Sequence, residues 1–174
     1  MRRITKLGAS RRRVLLSLGV VLPWLCTLRT AARTAHAAER ITLAVFVAKD
    51  SGLQNLKMTE LRRIFTSADD SGFSGQRSVP FNHTARSSDR VGFDQTVLHM
   101  NPEEVSRFWI DRKIRGLPGP PRAVDSLSQL LRLVSRTSAG IGYARPSQVT
   151  SEVRVIRIDG KLPVEAGYPL QFDE

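Results

Sequence analysis

Residues 82–100 contain the side chains best suited to hold an anion. The first half of this segment, NHTARSSDR, combines the hydroxyls of Ser87 and Ser88 with the guanidinium groups of Arg86 and Arg90. Hydroxyl groups donate hydrogen bonds, and a guanidinium is a planar cationic fork that suits phosphate or sulfate oxygens. An oxyanion site is therefore one interpretation of these residues.

The second half of the segment has the apolar spacing of a helix that begins near Ser87 or Ser88. Phe93, Val97 and Met100 recur at i, i+4 and i+7. The first N–H groups of a helix have no internal partners and carry partial positive charge, so an anion can bind them. Hence the backbone is expected to add donors to the site.

A second interpretation of the same residues needs no ligand. One serine would be an ordinary helix cap, and the arginines would be solvated, with Arg90 paired to Asp89 or Asp94. The residue types alone leave both interpretations open.

The elements that would position this segment alternate between strands and helices. Ile41–Val47 is a continuous apolar run expected to form a central strand, and Val79–Asn82 a short strand with Pro80 at a sheet edge or strand end. Later strands are expected at 141–144 and 153–158. This alternation predicts an α/β sandwich with a largely parallel or mixed sheet. Ligands bind such sheets beyond the carboxyl ends of the strands, and the turn after Asn82 is such a place.

Three further helices are predicted from caps and apolar faces. Thr59 would cap the first, whose inner face is Leu61, Ile64 and Phe65. Asn101, Pro102 and Glu104 form a capping box before Val105, Phe108, Trp109 and Arg112, and Asp125 would cap a helix with Leu127, Leu130, Leu131 and Val134 inside. Gly-rich and Pro-rich segments at 67–76 and 116–121 are expected to be loops.

Residues 1–37 have the features of a secretory signal. A basic start precedes an apolar run from Val14 to Leu25, and Ala35-His36-Ala37 is a small-residue cleavage site. Ser10-Arg11-Arg12-Arg13 resembles a twin-arginine signal. The alternative is a retained membrane anchor. We expect export to the periplasm, cleavage after Ala37, a domain from 38 to 174 and no stable membrane insertion after cleavage.

The charge balance changes when this segment is removed. Residues 1–37 hold eight of the 27 basic residues and none of the 16 acids, so the net charge falls from +11 to +3. A nucleic-acid binder should carry its basic patch on the folded domain, so that function is not expected. The single cysteine, Cys26, also leaves, and a Cys/His metal cluster and a cysteine nucleophile are excluded from the mature chain. No cofactor is expected.

Several motifs in order resemble the substrate-binding proteins of phosphate ABC transporters. They are Leu56–Phe65 (LKMTELRRIF), Thr137–Tyr143 (TSAGIGY) and Ile158–Pro163 (IDGKLP) followed by Gly167–Leu170 (GYPL). The resemblance runs from about Ile41 to Leu170. It implies one lobe of a type 2 periplasmic-binding-protein-like fold, where full-length members have two lobes.

The resemblance also bears on the anion site. Short single-lobe relatives have an Asn-Gln-Pro-x-Gly-Ser-x-x-Arg-x-x-Phe motif, which Asn82, Ser87, Arg90 and Phe93 match position for position. The full-length motif has a threonine where this chain has Asp89. A carboxylate there would repel a phosphate dianion.

Three functions remain open at this point. The first is an exported protein that binds phosphate or a similar oxyanion for uptake, with an ABC transporter permease or another envelope protein as partner. The second is an envelope interaction or sensor module that has kept the lobe and lost the ligand. The third, a hydrolase using Ser87 or Ser88 with His83 or His99, lacks a Gly-x-Ser-x-Gly elbow around either serine, so no enzyme is expected.

Overall fold

A computed structural model describes residues 40–67 and 78–173. The expected signal at 1–37 and nearly all of the expected loop at 67–76 lie outside these residues. Within the described ranges, no helix is long and apolar enough to cross a membrane.

The centre of the domain is a mixed five-stranded sheet with the order β5-β4-β6-β2-β7. β4 is parallel to both β5 and β6, whereas β2 is antiparallel to β6 and β7. Two small sheets, the antiparallel pair β1-β9 and the parallel pair β3-β8, complete the strand pairing of the described chain. The strands are β1 Arg40–Thr42, β2 Ala44–Ala48, β3 Asn55–Leu56, β4 Val79–His83, β5 Arg122–Val124, β6 Gly140–Ala144, β7 Val153–Val155, β8 Arg157–Ile158 and β9 Gln171–Asp173.

The predicted helices are present, with two caps shifted. They are α1 Met58–Ser67, α2 Ser88–Phe93, α3 Pro102–Ile114 and α4 Leu127–Arg136, with a π-helix at Asp94–Leu98 and a 3₁₀ turn at Pro146–Gln148. The capping box before α3 is confirmed, because Asn101 and Glu104 exchange hydrogen bonds of 2.8 and 2.9 Å.

The predicted caps of α4 and α1 are wrong. Ser126, and not Asp125, caps α4. A capping side-chain oxygen accepts a hydrogen bond from a backbone N–H in the first turn, and Ser126 Oγ accepts from Gln129 N at 3.3 Å. Thr59 lies inside the first turn of α1, which begins one residue earlier.

Two segments that the sequence predicts as single strands, 41–47 and 153–158, each divide between sheets. β2 takes the expected internal position between β6 and β7 with all five residues buried, but the run breaks at Leu43, whose N–H donates to Leu170 O at 3.0 Å. The run at 153–158 breaks at Ile156, because β7 pairs with β2 and β8 with β3. The apolar residues of these segments reflect burial, whereas the ends of each strand depend on which strands pair with it.

Pro80 occupies a strand end and not a sheet edge. β4 lies between β5 and β6, and Pro80 is its second residue. The unexpected strand at the sheet edge is β5, which the sequence indicated only as the end of a loop.

Helices cover both faces of the sheet. Because side chains of a strand alternate, Val45 and Val47 pack with α1, α2 and the π-helix, while Phe46 packs with α4 on the opposite face. The predicted inner faces of α1 and α4 are buried at Leu61, Ile64, Phe65, Leu130, Leu131 and Val134. The sheet is therefore packed on both faces.

Candidate functional site

Two loops meet along the edge of the sheet that is formed by the carboxyl ends of β4 and β6. β4 and β6 are parallel neighbours in the register Val79↔Gly140, so their carboxyl ends, at His83 and Ala144, lie at the same edge. The chain leaves β4 through a turn into α2, and leaves β6 through Arg145 into the 3₁₀ turn. This edge is where the sequence placed the anion site.

The turn after β4 forms the predicted helix start. Ser87 N donates to Thr84 O at 3.0 Å, and Ser87 O accepts the first helical bond from Val91 N at 3.0 Å. Ser87 has extended backbone angles, and its side chain makes no capping hydrogen bond. Ser87 is half-buried and Ser88 is exposed. The structure thus brings both predicted hydroxyls to the first turn of α2.

Arg90 points into the protein. Its side chain is 9% exposed, its Nε donates to Asp94 Oδ2 at 2.6 Å, and its Nη1 donates to His83 O at 3.4 Å. The ion pair with Asp94 is one that the ligand-free interpretation expected. Arg86, in contrast, is exposed in the turn before α2. The four predicted site residues are therefore neighbours in sequence, but Arg90 belongs to a buried ion pair.

Arg145 is the cation that the sequence reasoning missed. Its Nε donates to Asp89 Oδ1 at 2.9 Å, and its Nη2 lies 3.4 Å from Ser88 Oγ. A third of its side chain is exposed. The available signal was its position directly after the apolar run at 141–144, since the strand-end rule that singled out Ser87 applies equally to β6.

Asp89 has a counter-ion. The residue is 8% exposed and its carboxylate is paired with Arg145. A carboxylate beside a guanidinium forms a nearly neutral pair, so Asp89 repels an approaching anion less than an isolated carboxylate would.

A buried polar network supports this edge from below. The Tyr143 hydroxyl donates to Asn82 Oδ1 at 2.7 Å, and a ring nitrogen of His83 lies 2.8 Å from Tyr143 O. The Tyr143 ring stacks on Phe93, with centroids 3.8 Å apart and an angle of 4°. Burial raises the pKa of Tyr143 well above its ordinary value, so its hydroxyl remains a donor. The network joins β4, β6 and α2.

Asp94 is a buried acid whose partner is Arg90. Burial raises its pKa, while the charge of Arg90 and their hydrogen bond oppose the increase. Its second oxygen, Oδ1, is buried without a hydrogen bond in the described chain. Asp94 also begins the π-helix, a form that often marks functional positions in proteins.

The two histidines of the described ranges contact backbone carbonyls. Within residues 40–67 and 78–173, the hydrogen bonds of His83 and His99 go to the carbonyls of Tyr143 and Gln95, and neither ring bonds a serine. The same ranges contain no group of three His, Cys, Asp or Glu side chains placed to hold a metal ion. What the edge offers a ligand is hydroxyl, amide and guanidinium donors.

The fold is similar to that of several solved phosphate receptors. An ABC-type phosphate transport receptor from Vibrio cholerae superimposes with a TM-score of 0.61 and 17% identity over 76% of this chain and 54% of that one. PstS from Borrelia burgdorferi superimposes with a TM-score of 0.59 and 11% identity over 77% of this chain and 55% of that one. A third structure is a putative phosphate ABC transporter substrate-binding protein from Clostridium perfringens, solved with bound phosphate. It superimposes with a TM-score of 0.57 and 20% identity over 71% of this chain and 47% of that one.

These similarities establish the fold at low sequence identity. No family model and no curated protein matches the chain. The chain spans about half the length of the solved structures that it matches. The described part of the chain thus shares the mixed α/β fold of these solved structures, and the expected α/β fold class is confirmed.

Proposed function

We propose that this chain is an exported binding protein for phosphate or a similar oxyanion, and that it serves phosphate uptake. The anion would bind where the loops after β4 and β6 meet. The observation that carries the proposal is the position of Arg145, whose Nη2 lies 3.4 Å from Ser88 Oγ at the start of α2. A cation, two hydroxyls and the first amides of a helix then converge from two adjacent strand ends.

The proposed ligand contacts follow from the burial of each group. Ser87 and Ser88 would donate hydrogen bonds from their hydroxyls, Arg145 would donate from its guanidinium, and Arg86 would add an exposed positive charge. Arg90 would act indirectly, because its ion pair with Asp94 and its bond to His83 O hold α2 against β4. This assignment changes the role of Arg90 from ligand to support.

Asp89 would set the preference among anions. Its carboxylate accepts a hydrogen bond from Arg145 and would accept another from a ligand that carries a proton. Phosphate carries at least one proton near neutral pH, whereas sulfate carries none. We therefore expect phosphate to bind better than sulfate. The residues that the structure describes form one wall of a cleft, so we expect an affinity of about tens of micromolar or weaker, on the order of 6 kcal/mol.

Calorimetric titration with phosphate and sulfate tests this function. Arg145→Ala should weaken phosphate binding by about tenfold or more, the loss expected for a charge-assisted hydrogen bond worth roughly 1.5 to 3 kcal/mol. Arg132→Ala, which removes an exposed arginine of α4, is the matched control and should bind as the wild type does. Equal binding by Arg145→Ala and the control would contradict the site.

An interaction or sensor module in the envelope is the second candidate. It is favoured because two arginines near the start of α2 are already paired with acids, Arg90 with Asp94 and Arg145 with Asp89. Absence of a heat of binding for phosphate and sulfate in the wild type, with the fold intact, would support this candidate over uptake.

Export is a separate part of the proposal. We expect the protein in the periplasm with an N-terminus at Ala38, and a transporter permease or another envelope protein as its partner. N-terminal sequencing of the protein from the envelope fraction checks the first expectation, and an intact Met1 on cytoplasmic protein would contradict it. Permease and ATPase genes beside this gene would support uptake, while an outer-membrane or signalling gene would support the sensor module.

A further inference from the structure

The C-terminal half of α3 exposes an apolar surface that the anion site does not use. Ile110, Ile114 and Leu117 are 56%, 80% and 45% exposed. Ile110 and Ile114 are four residues apart and so lie on one side of the helix. A groove of about 590 Å³ runs beside them, lined by Ser106, Trp109, Ile110, Lys113, Leu117, Gly119 and Pro120. We call residues 110–122 the α3 tip.

The three exposed aliphatic side chains of the α3 tip lie outside the core. α3 is anchored through Val105 and Trp109, each 9% exposed, and through Arg112, whose Nη2 donates to Ser67 O at 2.9 Å. The other large apolar side chains exposed in the described chain, Val79 and Val164, are far apart in sequence. A cluster of exposed aliphatic side chains on one element is typical of an interaction surface.

Positive charge surrounds the apolar side chains. The tip contains four basic residues, Arg112, Lys113, Arg115 and Arg122, and one acid, Asp111, which gives a net charge of +3. Asp111 is paired with Arg115 at 3.1 Å. Lys113 and Arg122 are exposed. The chemistry of the tip therefore complements a partner that is both apolar and anionic.

We propose that the α3 tip binds reversibly to the surface of a membrane that contains anionic lipids. The aliphatic side chains would enter the boundary between headgroups and acyl chains, while Lys113 and Arg122 would meet the phosphate groups of the lipids. Such binding is peripheral, involves no spanning segment, and goes beyond the uptake function.

A lipid surface fits the tip better than two other occupants. A second copy would place a net charge of +3 against another +3, which is unfavourable. An acidic protein would match the charge, but Ile114, the most exposed of the three aliphatic side chains, lies outside the groove. A projecting aliphatic side chain suits a deformable lipid interface, where no complementary pocket is needed.

Vesicle co-sedimentation tests the proposal with the protein in the form recovered from the envelope, after its N-terminus has been sequenced. Vesicles of phosphatidylcholine alone are compared with vesicles that also contain phosphatidylglycerol. Wild-type protein should bind the anionic vesicles at low salt, and binding should weaken as salt rises. The double variant Ile114→Ser with Leu117→Ser should weaken binding about tenfold or more, because each substitution reduces the apolar area that the lipid buries. Lys113→Gln with Arg122→Gln should weaken it about fivefold per cation.

Matched controls separate the tip from general stickiness and charge. Val164→Ser removes an apolar side chain that is 87% exposed, and Lys49→Gln removes an exposed lysine of another loop. Both should bind within about twofold of the wild type, less than the loss of one cation near a lipid surface. Equal loss in the controls and the tip variants would overturn the proposal.

Two further results would also overturn it. Absence of binding to anionic vesicles at low salt would assign the tip to a protein partner. A concentration-dependent dimer in analytical ultracentrifugation, lost in Ile114→Ser, would assign it to self-association. The phosphate titration probes a different edge of the molecule, so failure here leaves the anion proposal standing.

Discussion

Arg145 Nε donates a 2.9 Å hydrogen bond to Asp89 Oδ1 across 56 positions of sequence. The contact exists because β4 and β6 are parallel neighbours, so the residues that follow them emerge at one edge. It joins the acid that seemed unfavourable for an anion to a cation that the sequence reasoning had not considered. The first prediction concerns this pair.

Asp89→Asn should strengthen phosphate binding. The amide removes the negative charge beside the ligand, and relief of the repulsion between two unit charges is worth about 1 kcal/mol at roughly 4 Å in the dielectric of water. Titration of the variant with phosphate and sulfate measures the change, and sulfate should gain more because it has no proton to donate to a carboxylate. Weaker binding of both anions would show that Asp89 serves the site by holding Arg145 in place.

Arg90→Met should destabilise the fold strongly. Removal of one partner from a buried ion pair leaves the Asp94 charge uncompensated, at a cost of about 3 to 5 kcal/mol. Arg115→Met is the matched control, because Arg115 and Asp111 form an ion pair with the same spacing at the surface, with side chains 67% and 55% exposed. The control should lose no more than about 0.5 kcal/mol. Urea unfolding midpoints compare the two, and equal losses would contradict the importance of burial.

Stability should depend on pH through Asp94. Because its folded pKa is raised above the ordinary value of 3.8, the native state holds the proton more tightly than the unfolded state does. The contribution of Asp94 is therefore full below pH 3.8 and is lost as pH rises through the folded pKa. Urea midpoints measured across this range should fall for wild type relative to Asp94→Asn as pH rises. A constant difference between the two proteins would show that Asp94 does not titrate differently on folding.

Two buried tyrosines should respond differently to loss of the hydroxyl. Tyr143→Phe leaves Asn82, which is 2% exposed, without its donor, at a cost of about 1 to 3 kcal/mol. Tyr168 is also buried, but its hydroxyl lies near the Val45 backbone without a hydrogen bond of normal geometry in the described chain. Tyr168→Phe should thus be close to neutral in thermal unfolding. A larger loss in Tyr168→Phe than in Tyr143→Phe would contradict the network.

Leu131→Ala tests the core on the α4 side of the sheet. Leu131 is 5% exposed and packs in the cluster with Phe46 and Phe81. Its truncation should cost about 2 to 5 kcal/mol. Val164→Ala, at a position 87% exposed, should leave the unfolding midpoint nearly unchanged. Similar midpoints for the two variants would show that the apolar face of α4 is misplaced.

Local patterns in the sequence determined much of the fold. The faces Leu61/Ile64/Phe65 and Leu130/Leu131/Val134 are buried as their 3.6-residue spacing indicates, and the Asn101 capping box forms as written. The start of α2 at Ser87 and Ser88 was also predictable. These features depend on residues within one or two turns of each other, so a linear pattern contains the needed information.

The tertiary structure decided everything that depends on strand partners. The division of 41–47 at Leu43, the internal position of β4 and the antiparallel orientation of β2 all follow from pairings between distant segments. The same holds for the candidate site. The hydroxyls at the start of α2 could be identified in the sequence. The pairing of β4 with β6 places Arg145 beside Ser88, and the buried position of Arg90 favours its ion pair with Asp94. Long-range contacts choose among side chains that are chemically equivalent in sequence, and two arginines therefore have different roles here.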